Sequence, residues 1–532
     1  MLLQWLVWLN FLNLASADWQ FLTRPELSPP KLNITVPASQ TAAGYIFISP
    51  KEQLGYVGPE QPAPYIYRED GELIWSGVGY YNGYVVDFGV VHVNGTPVLR
   101  AFQGTRVNGL PTFGYHTILD NHYQTVNVVH AASHKIALVH EFQVVDGGSA
   151  LIEVGPPILK DLSAFGGDEE QKWITSAGFQ EIDLATGELL FEWYMLDHIS
   201  PGFSYLRLDP DLPTLARSPS DAWTGAWINS IDKDDEGNYL VSFRFLSAIY
   251  KINGTSGEIM WQLGGKNGSD FEIPPNLEFR FQHDARMRYR SPDGSIEHIS
   301  LFDNANADMQ PDHYSGLPSK VRCIELNHKT KSISEIWTFT APDNLIAASQ
   351  GNVQTLPNGN VFANWGVAGA VTEFSSEGAV LFHAYLDSEP NTLVHSYRGF
   401  RSNWTGLSSE EPAILALRNQ EGVVSVWVSW NGDTETRDWA FHLEDQSGLN
   451  VNSLGSQTRD GFETRFEIRM SGSLKELQEY SVVAEALDSS GASIGRTRPT
   501  QIQDDTLYRA QINKLSSQKV QKADYQQSRM EL

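Results

Sequence analysis

The chain has 532 residues, of which 41% are hydrophobic and 19% are charged, a composition typical of a folded globular protein rather than a disordered or collagen-like one. Its 38 Lys and Arg residues against 64 Asp and Glu residues give a formal net charge of -26. Such a field repels phosphate backbones and anionic membrane surfaces, which excludes nucleic-acid binding as a function class. The lone Cys323 excludes an intrachain disulfide, and without a Cys/His cluster we expect no metal and no cofactor.

The N-terminus has the pattern of a secretory signal peptide over residues 1–17. An apolar run from Leu2 to Leu14 is followed by the small-residue exit Ala15, Ser16 and Ala17. The run is shorter than the ~20 residues that span a bilayer, so we expect a secreted product with no membrane span after signal removal. Five Asn-x-Ser/Thr sequons predict a glycoprotein of the secretory pathway: Asn33, Asn94, Asn253, Asn267 and Asn403.

One sequence phrase recurs between the signal and the middle of the chain. It consists of a short strand, a polar turn with Gly, Asp or Asn, and an apolar strand with an aromatic residue, which predicts a β-hairpin. Five copies begin at Ile66, Glu181, Lys251, Glu325 and Glu373, and a weaker sixth begins at Phe142. Joined to the strand pairs between them, these hairpins make four-stranded units that must stack around an axis. The pattern predicts a six-bladed β-propeller over residues 18–406.

The pattern of hydrophobic and polar residues changes after Trp404. Short alternating strands with a loop about every ten residues predict a β-sandwich over residues 412–503. From residue 504 to 532 the chain is rich in Gln, Lys and Ser, which indicates a polar tail. The predicted fold class is therefore all-β, a six-bladed β-propeller followed by a small immunoglobulin-like β-sandwich.

Seven phrases in this order resemble the arylsulfotransferase-like secreted propellers, especially their fungal branch. They lie at Gly44 to Pro50, His140 to Phe142, Ile228 to Asp232, Gln282 to Arg286, Ser300 to Ala305, Ser349 to Gln354 and Ser396 to Arg401. The resemblance implies a six-bladed propeller with a site at its axial mouth. In bacterial members that site moves a sulfuryl group between phenols through a sulfated histidine, with further histidines and an arginine around it.

This chain departs from the family pattern at two of three matching positions. His283 is retained, whereas Trp227 precedes Ile-Asn-Ser and Gln350 occupies Ser-Gln-Gly, where the resemblance implies histidines. Neither a tryptophan nor a glutamine side chain can be the nucleophile. The resemblance thus supports the family fold better than the family chemistry.

The candidate site residues follow from these phrases. An imidazole near a carboxylate is the usual general base, so the catalytic candidates are His283, Asp284 and His140. Neighbouring strand residues point to opposite faces, so Asp284 is not expected to orient His283. The substrate-binding candidates are His116, Trp227, Asn229, Arg286, Asn304, Gln350 and Arg398. The structural alternative is a His-Asp pair that closes a turn, with aromatic residues packed between blades and arginines in salt bridges.

Three hypotheses remain open for the function. The first is a secreted, transferase-like tailoring enzyme that acts at the propeller mouth on an aromatic or polycyclic molecule, as in secondary metabolite biosynthesis, by acid-base chemistry centred on His283. The second is a genuine aryl sulfotransferase that uses His283 or His140 as the relay. The third is a non-catalytic secreted binding or adhesion module. The first two predict a small-molecule aromatic substrate as the partner, and the sequence leaves the oligomeric state open.

Overall fold

The computed structural model describes residues 18–52, 58–105, 113–145, 148–209, 215–307, 315–387 and 394–510. The predicted signal peptide and most of the polar tail lie outside these ranges, so both stay predictions. Within them the regular structure is almost entirely antiparallel β, and no described helix is long and apolar enough to cross a membrane.

The described strands of the first four hundred residues form six four-stranded blades, each named here from its innermost strand outward. Blade 1 is Gly399–Ser402, Tyr45–Ile48, Tyr65–Tyr67 and Leu73–Ser76; blade 2 is Tyr84–Val93, Thr96–Thr105, Phe113–Leu119 and Thr125–Val129; blade 3 is Ala137–Val145, Ser149–Val154, Gly178–Asp183 and Leu189–Tyr194. Blade 4 is Ile228–Lys233, Tyr239–Phe243, Ala248–Ile252 and Ile259–Gly264; blade 5 is His283–Arg290, Ile296–Asp303, Lys320–Asn327 and Ser332–Thr340; blade 6 is Asn352–Thr355, Val361–Asn364, Ala370–Phe374 and Val380–Tyr385.

The ring of blades is closed by strands from both ends of the propeller sequence. The inner strand of blade 1 pairs Gly399 with Ile48 and Ser402 with Tyr45. The early strand Asn33–Val36 adds a fifth, outer strand to blade 6. Closure of this kind leaves few free sheet edges.

The five clear hairpin phrases are the outer hairpins of blades 1, 3, 4, 5 and 6, as the sequence predicted. Their turns need a positive φ, which Gly71, Gly187, Gly257 and Gly378 supply, while Lys331 takes φ 55° in blade 5. The weak sixth phrase is the inner hairpin of blade 3 instead.

A β-sandwich follows the propeller. One sheet contains Glu463–Arg469, Val423–Ser429, Ala413–Arg418 and Gln503–Asp504, and the other contains Asn450–Thr458, Asp438–Glu444, Ser481–Leu487 and Ser493–Arg496, with Thr500–Gln501 beside Ser481–Leu487. The sheets share a core in which Phe441 and Phe466 stack with ring centroids 4.4 Å apart. The immunoglobulin-like character of this sandwich stays a prediction.

The remaining described elements are short. Two strand pairs join Lys51–Glu52 to Val394–His395 and Pro157–Leu159 to Trp173–Thr175. The 3₁₀ turns are Ser163–Phe165, Met195–Asp197, Pro201–Phe203, Pro219–Asp221, Pro275–Leu277, Pro342–Asn344 and Gly366–Ala368, and the α-helical turn is Leu474–Leu477. Residues 505–510 are helical.

Aromatic packing fills the wedge between blades. Trp75 of blade 1 is fully buried and stacks on Phe88 of blade 2 and on Tyr123, with centroids 5.4 and 4.9 Å away. Cys323 of blade 5 is also buried, and burial raises the pKa of its thiol to about 11. A thiol of that kind is a core residue rather than a nucleophile.

Candidate functional site

Residues at or just before the start of the inner strands converge at one end of the propeller axis, here called the mouth. Trp227 and Tyr397 precede the inner strands of blades 4 and 1, and His140 lies early in that of blade 3. The His140 ring centroid lies 5.3 Å from that of Trp227 and 5.7 Å from that of Tyr397. His283, which opens the inner strand of blade 5, lies 6.5 Å from Tyr397 on the same measure. The mouth is therefore a cluster of aromatic and imidazole rings.

His140 is paired with a buried carboxylate. Its Nδ1 lies 2.7 Å from Oε2 of Glu153, which is fully buried on the neighbouring strand of blade 3. Burial raises the pKa of Glu153 despite the opposing effect of His140. Nδ1–H donates to this carboxylate, which fixes the orientation of the ring, and the His140 side chain retains 14% exposure. This is the arrangement of a general base with an orienting partner.

His283 has different surroundings. Its Nδ1 donates to Oδ1 of Asn304 at 2.7 Å, while the backbone N–H of Gln350 approaches its Nε2 at 3.3 Å. Burial, and secondarily the charge of Arg244, lowers the pKa of His283 to about 3. The ring is thus held neutral, and its low basicity makes it a weaker proton acceptor than an ordinary imidazole.

A layer of charged side chains lies beneath the mouth. Arg398 donates from Nη1 to Asp87 at 3.0 Å and to Glu141 at 2.9 Å, and Arg286 donates to Glu141 at 2.7 Å and to Asp284 at 2.9 Å. Arg100 lies 3.2 Å from Asp87. These three arginines and three carboxylates are all buried. Burial alone would raise the pKa of Glu141, but the charges of Arg286 and Arg398 lower it.

Backbone irregularities aim these side chains at the axis. Asp87 and Asp284 have φ of 57° and 53° and lie where the inner strands of blades 2 and 5 shift register. Glu141 and Asn229 lie at comparable shifts in blades 3 and 4. A bulge redirects a side chain that regular pleating would send elsewhere. Asp284 accordingly turns away from His283 and accepts from the N–H of Val353 at 3.0 Å.

The other predicted residues divide between the mouth and the interior. Asn304 and Gln350 contact each other and His283, since the Asn304 amide donates to the Gln350 carbonyl at 3.0 Å. Asn229 is buried and donates to the carbonyl of Gln282 at 2.6 Å. His116 lies away from the mouth in blade 2, fully buried, stacked on Phe142 at 4.4 Å. Its role is therefore one of packing, because the third strand of a blade does not reach the axis.

Sequence reasoning missed two residues of the site. Glu153 lies in an apolar strand and carries no motif, so only its pairing with His140 identifies it. Tyr397 lies inside a phrase that was noted for its arginines, yet its ring bridges His140 and His283 and its hydroxyl donates to the His140 carbonyl at 3.2 Å. Burial raises the pKa of Tyr397 well above its usual value, so the phenol stays protonated.

No three His, Cys, Asp or Glu side chains within the described ranges are grouped to hold a metal ion. The side chains of Asn94, Asn267 and Asn403 are exposed, whereas Asn33 and Asn253 are half-buried. Glycosylation at these five sequons stays a prediction.

Comparison with known proteins gives one family. The sequence profile of the family described as Arylsulfotransferase (ASST) matches residues 89–386, which include blades 3, 4 and 5 and most of blades 2 and 6. None of the curated proteins matches the sequence.

Solved structures with some likeness are all distant. A protein of unknown function from Bacteroides caccae is 12% identical, with 68% of this chain and 100% of that chain covered and a TM-score of 0.36. The NanB sialidase from Streptococcus pneumoniae is 11% identical over 69% of this chain and 52% of that chain, with a TM-score of 0.26. An alpha-L-arabinofuranosidase from Lactobacillus brevis is 10% identical over 58% of this chain and 89% of that chain, with a TM-score of 0.27.

Proposed function

This chain belongs to the arylsulfotransferase (ASST) family, and we propose that it is a tailoring enzyme that moves a proton on an aromatic or polycyclic small molecule at the propeller mouth. The observation that carries the proposal is the pair formed by His140 Nδ1 and the buried Glu153 carboxylate at 2.7 Å. In this role His140 is the general base, and Glu153 is a positioning residue that fixes its tautomer and stabilises the imidazolium once it forms.

The surroundings of His140 suit an aromatic substrate. Trp227 and Tyr397 flank the imidazole, and flat apolar rings favour stacked or edge-on contact with a ligand of the same kind. The family pattern has a histidine at the position of Trp227, and the tryptophan makes the mouth more apolar. A weakly polar ring system with an acidic C–H or O–H fits this lining better than a strongly hydrated ion.

Charge balance favours proton transfer over sulfuryl transfer. Arg100, Arg286 and Arg398 are matched by Asp87, Glu141 and Asp284, so their guanidinium groups are already neutralised. Stabilising a sulfuryl group in transfer needs cationic donors aimed at its oxygens, as in phosphoryl transfer. Sulfuryl transfer with His140 as the relay is the second candidate, supported by the family assignment. A binding module without turnover is the third.

Deuterium exchange tests the primary proposal. 2-Tetralone, a bicyclic aromatic ketone with an acidic C–H, is incubated in D₂O with the wild type, His140→Gln and Glu153→Gln, and deuterium uptake is followed by mass spectrometry. We expect His140→Gln to slow the catalysed exchange by roughly 10²- to 10⁴-fold, the usual contribution of a general base. Glu153→Asp should restore part of the rate and shift its pH profile. His92→Gln, at an exposed position of blade 2, is the control.

A parallel reaction separates the alternatives. 4-Nitrophenyl sulfate and 2-naphthol are incubated with the same variants, and the products are weighed. Transfer of a sulfuryl group that depends on His140 would replace the proton-transfer proposal with the sulfotransferase one. Absence of both reactions would favour the non-catalytic module.

The cellular setting is part of the proposal. The signal-like residues 1–17 and the five sequons support secretion, and the mouth supports a small-molecule partner rather than a nucleic acid. N-terminal sequencing of the mature protein from culture medium should begin at Asp18. Protein that stays inside the cell with residues 1–17 still attached would contradict the prediction of secretion.

A further inference from the structure

A second cleft, of about 340 Å³, opens beside blades 4 and 5 and is lined by none of the mouth residues described above. Its apolar lining includes Phe271 and Phe279, and Gly264, Gly265, Gly268 and Ser269 also line it. Gly264, Gly265 and Gly268 have φ of 78°, 95° and 106°. Side chains rarely adopt such values, so this stretch presents backbone to the cleft.

The edge of the cleft is cationic in a strongly acidic protein. The ring centroid of Tyr205 lies 4.5 Å from Lys266 Nζ and 5.7 Å from the guanidinium carbon of Arg280. Burial, and then the charge of Arg207, lowers the pKa of Lys266. Among the described residues no carboxylate forms an ion pair with any of these three cations. Glu278 is the one acidic residue found in the described lining.

The loop itself is held in place by hydrogen bonds. The Gln262 carboxamide donates to the carbonyls of Gly264 and Gly268 and to Oδ1 of Asn267, each at 2.7 Å. Residues 266 and 267 form a hydrogen-bonded turn within the loop. These bonds fix the position of the loop beside the cleft.

Aromatic contacts connect the cleft to the mouth. The Tyr205 ring lies 5.9 Å from Phe281, two residues before His283, and the Tyr205 backbone donates to the carbonyl of Phe245 at 2.7 Å. Phe245 in turn lies 5.4 Å from Trp227. A chain of buried and partly buried aromatic rings therefore connects the lining of the cleft to the ring cluster of the mouth.

We propose that this cleft binds a planar aromatic carboxylate, with its ring against Phe271 and Phe279 and its carboxylate between Lys266 and Arg280. Charge-assisted hydrogen bonds to the two cations supply the selectivity for an anion, and the apolar wall supplies the selectivity for a flat ring. The inference does not rest on the proposed function, because binding itself requires no reaction.

Calorimetric titration of the full-length protein with 2-naphthoate tests the proposal, with the uncharged 2-naphthamide as the matched ligand. The proteins are the wild type, Lys266→Gln/Arg280→Gln, and the control Arg437→Gln/Arg498→Gln, whose two arginines are exposed in the sandwich. We expect naphthoate to bind the wild type and the control equally. Loss of its charge-assisted contacts should weaken binding to the double variant about tenfold or more. Because Asn267 lies on the loop, enzymatically deglycosylated protein is used throughout.

The outcomes separate this proposal from the function of the mouth. Equal binding of naphthoate to the wild type and Lys266→Gln/Arg280→Gln, or equal binding of naphthoate and naphthamide to the wild type, overturns the cleft assignment. Naphthoate affinity is measured without any turnover, so failure of the proton-transfer assay does not affect this test. Tyr205→Leu, which removes the ring that both cations contact, should weaken naphthoate binding and serves as a second variant should the double variant fold poorly.

Discussion

At the residue scale, the buried arginines of the propeller are structural counter-ions. Arg286 and Arg398 share the carboxylate of Glu141, and the planar guanidinium group suits such paired contacts better than an ammonium would. Removing one partner from a buried network of this kind strongly lowers the free energy of unfolding, because the remaining charge then has no partner. The arginines predicted to bind substrate are therefore expected to govern stability more than binding.

Glu141→Gln tests this role. Removal of one carboxylate leaves two arginines short of negative charge in a buried layer, so we expect the free energy of unfolding to fall by about 3–5 kcal/mol. Urea denaturation followed by tryptophan fluorescence measures it. Glu377→Gln, at an exposed turn of blade 6, is the control. A change of less than about 1 kcal/mol, the size expected of surface pairs, would mean that the layer contributes little.

His116 gives the chain a dependence of stability on pH. Burial, and secondarily Arg100, lowers its pKa to about 3, and neither ring nitrogen has a hydrogen-bond partner within the described residues. In the unfolded chain this histidine takes up a proton below about pH 6.5, whereas the folded chain does so only near pH 3, so stability falls as pH drops through that window. The group's contribution to this loss between pH 7 and pH 5 is about 2 kcal/mol.

His116→Phe should remove that contribution. We expect the variant to be at least as stable as the wild type at pH 7, since Phe packs against Phe102 and Phe142 without an unsatisfied nitrogen. Unfolding free energies at pH 7, 6 and 5 should then decline less steeply than those of the wild type. An unchanged slope would show that His116 is not the titrating group.

At the element scale, the outer hairpins that carry the recurring phrase were predictable from sequence, including that of blade 5, whose turn has Lys331 in place of glycine. The outer hairpin of blade 2 does not carry the phrase and was missed; Tyr123 supplies the positive φ of 61° in its turn. Bulges at Asp87 and Asp284 were also invisible, since a bulge depends on how two strands pair. The sequence could therefore predict the blades, whereas the direction of each axial side chain required the strand register.

Gly44, which lies beside the strand that closes blade 1, provides a test of ring closure. Gly44 has φ 118°, and a Cβ there would lie 2.5 Å from the Ser402 carbonyl oxygen of the closing strand. Gly44→Ala should therefore lower the free energy of unfolding well beyond the roughly 1–3 kcal/mol of backbone strain alone. Gly79→Ala is the matched control, with φ 88° and no atom within 4 Å. Equal effects of the two variants on thermal unfolding would mean that the closing strand adjusts to the added Cβ without a loss of stability.

At the scale of the whole molecule, the sandwich is fastened to the propeller by several separated contacts. Asn431 exchanges hydrogen bonds with the Ser76 backbone at 2.8 and 3.0 Å, and the Tyr123 hydroxyl donates to the Gly432 carbonyl at 2.7 Å. The change in residue pattern near Trp404 predicts a boundary between the two units, and that boundary stays a prediction. Their contacts, like the His140 and Glu153 pair, join residues distant from any motif and required the fold.

The segment that follows the predicted signal peptide makes a further contact with the sandwich, and this contact can be tested alone. Glu463 of the sandwich accepts from the backbone N–H and hydroxyl of Thr23, both at 2.6 Å, and from the N–H of Leu22 at 3.2 Å. Glu463→Ala removes every one of these acceptors while leaving the core intact. The amides of Leu22 and Thr23 should then exchange with D₂O faster, because local opening no longer breaks charge-assisted hydrogen bonds. Peptide-level hydrogen exchange measures this, with the exposed Glu421→Ala as the control. Unchanged protection would mean that the segment is held by apolar packing, chiefly Phe21 against Phe462 at 4.5 Å.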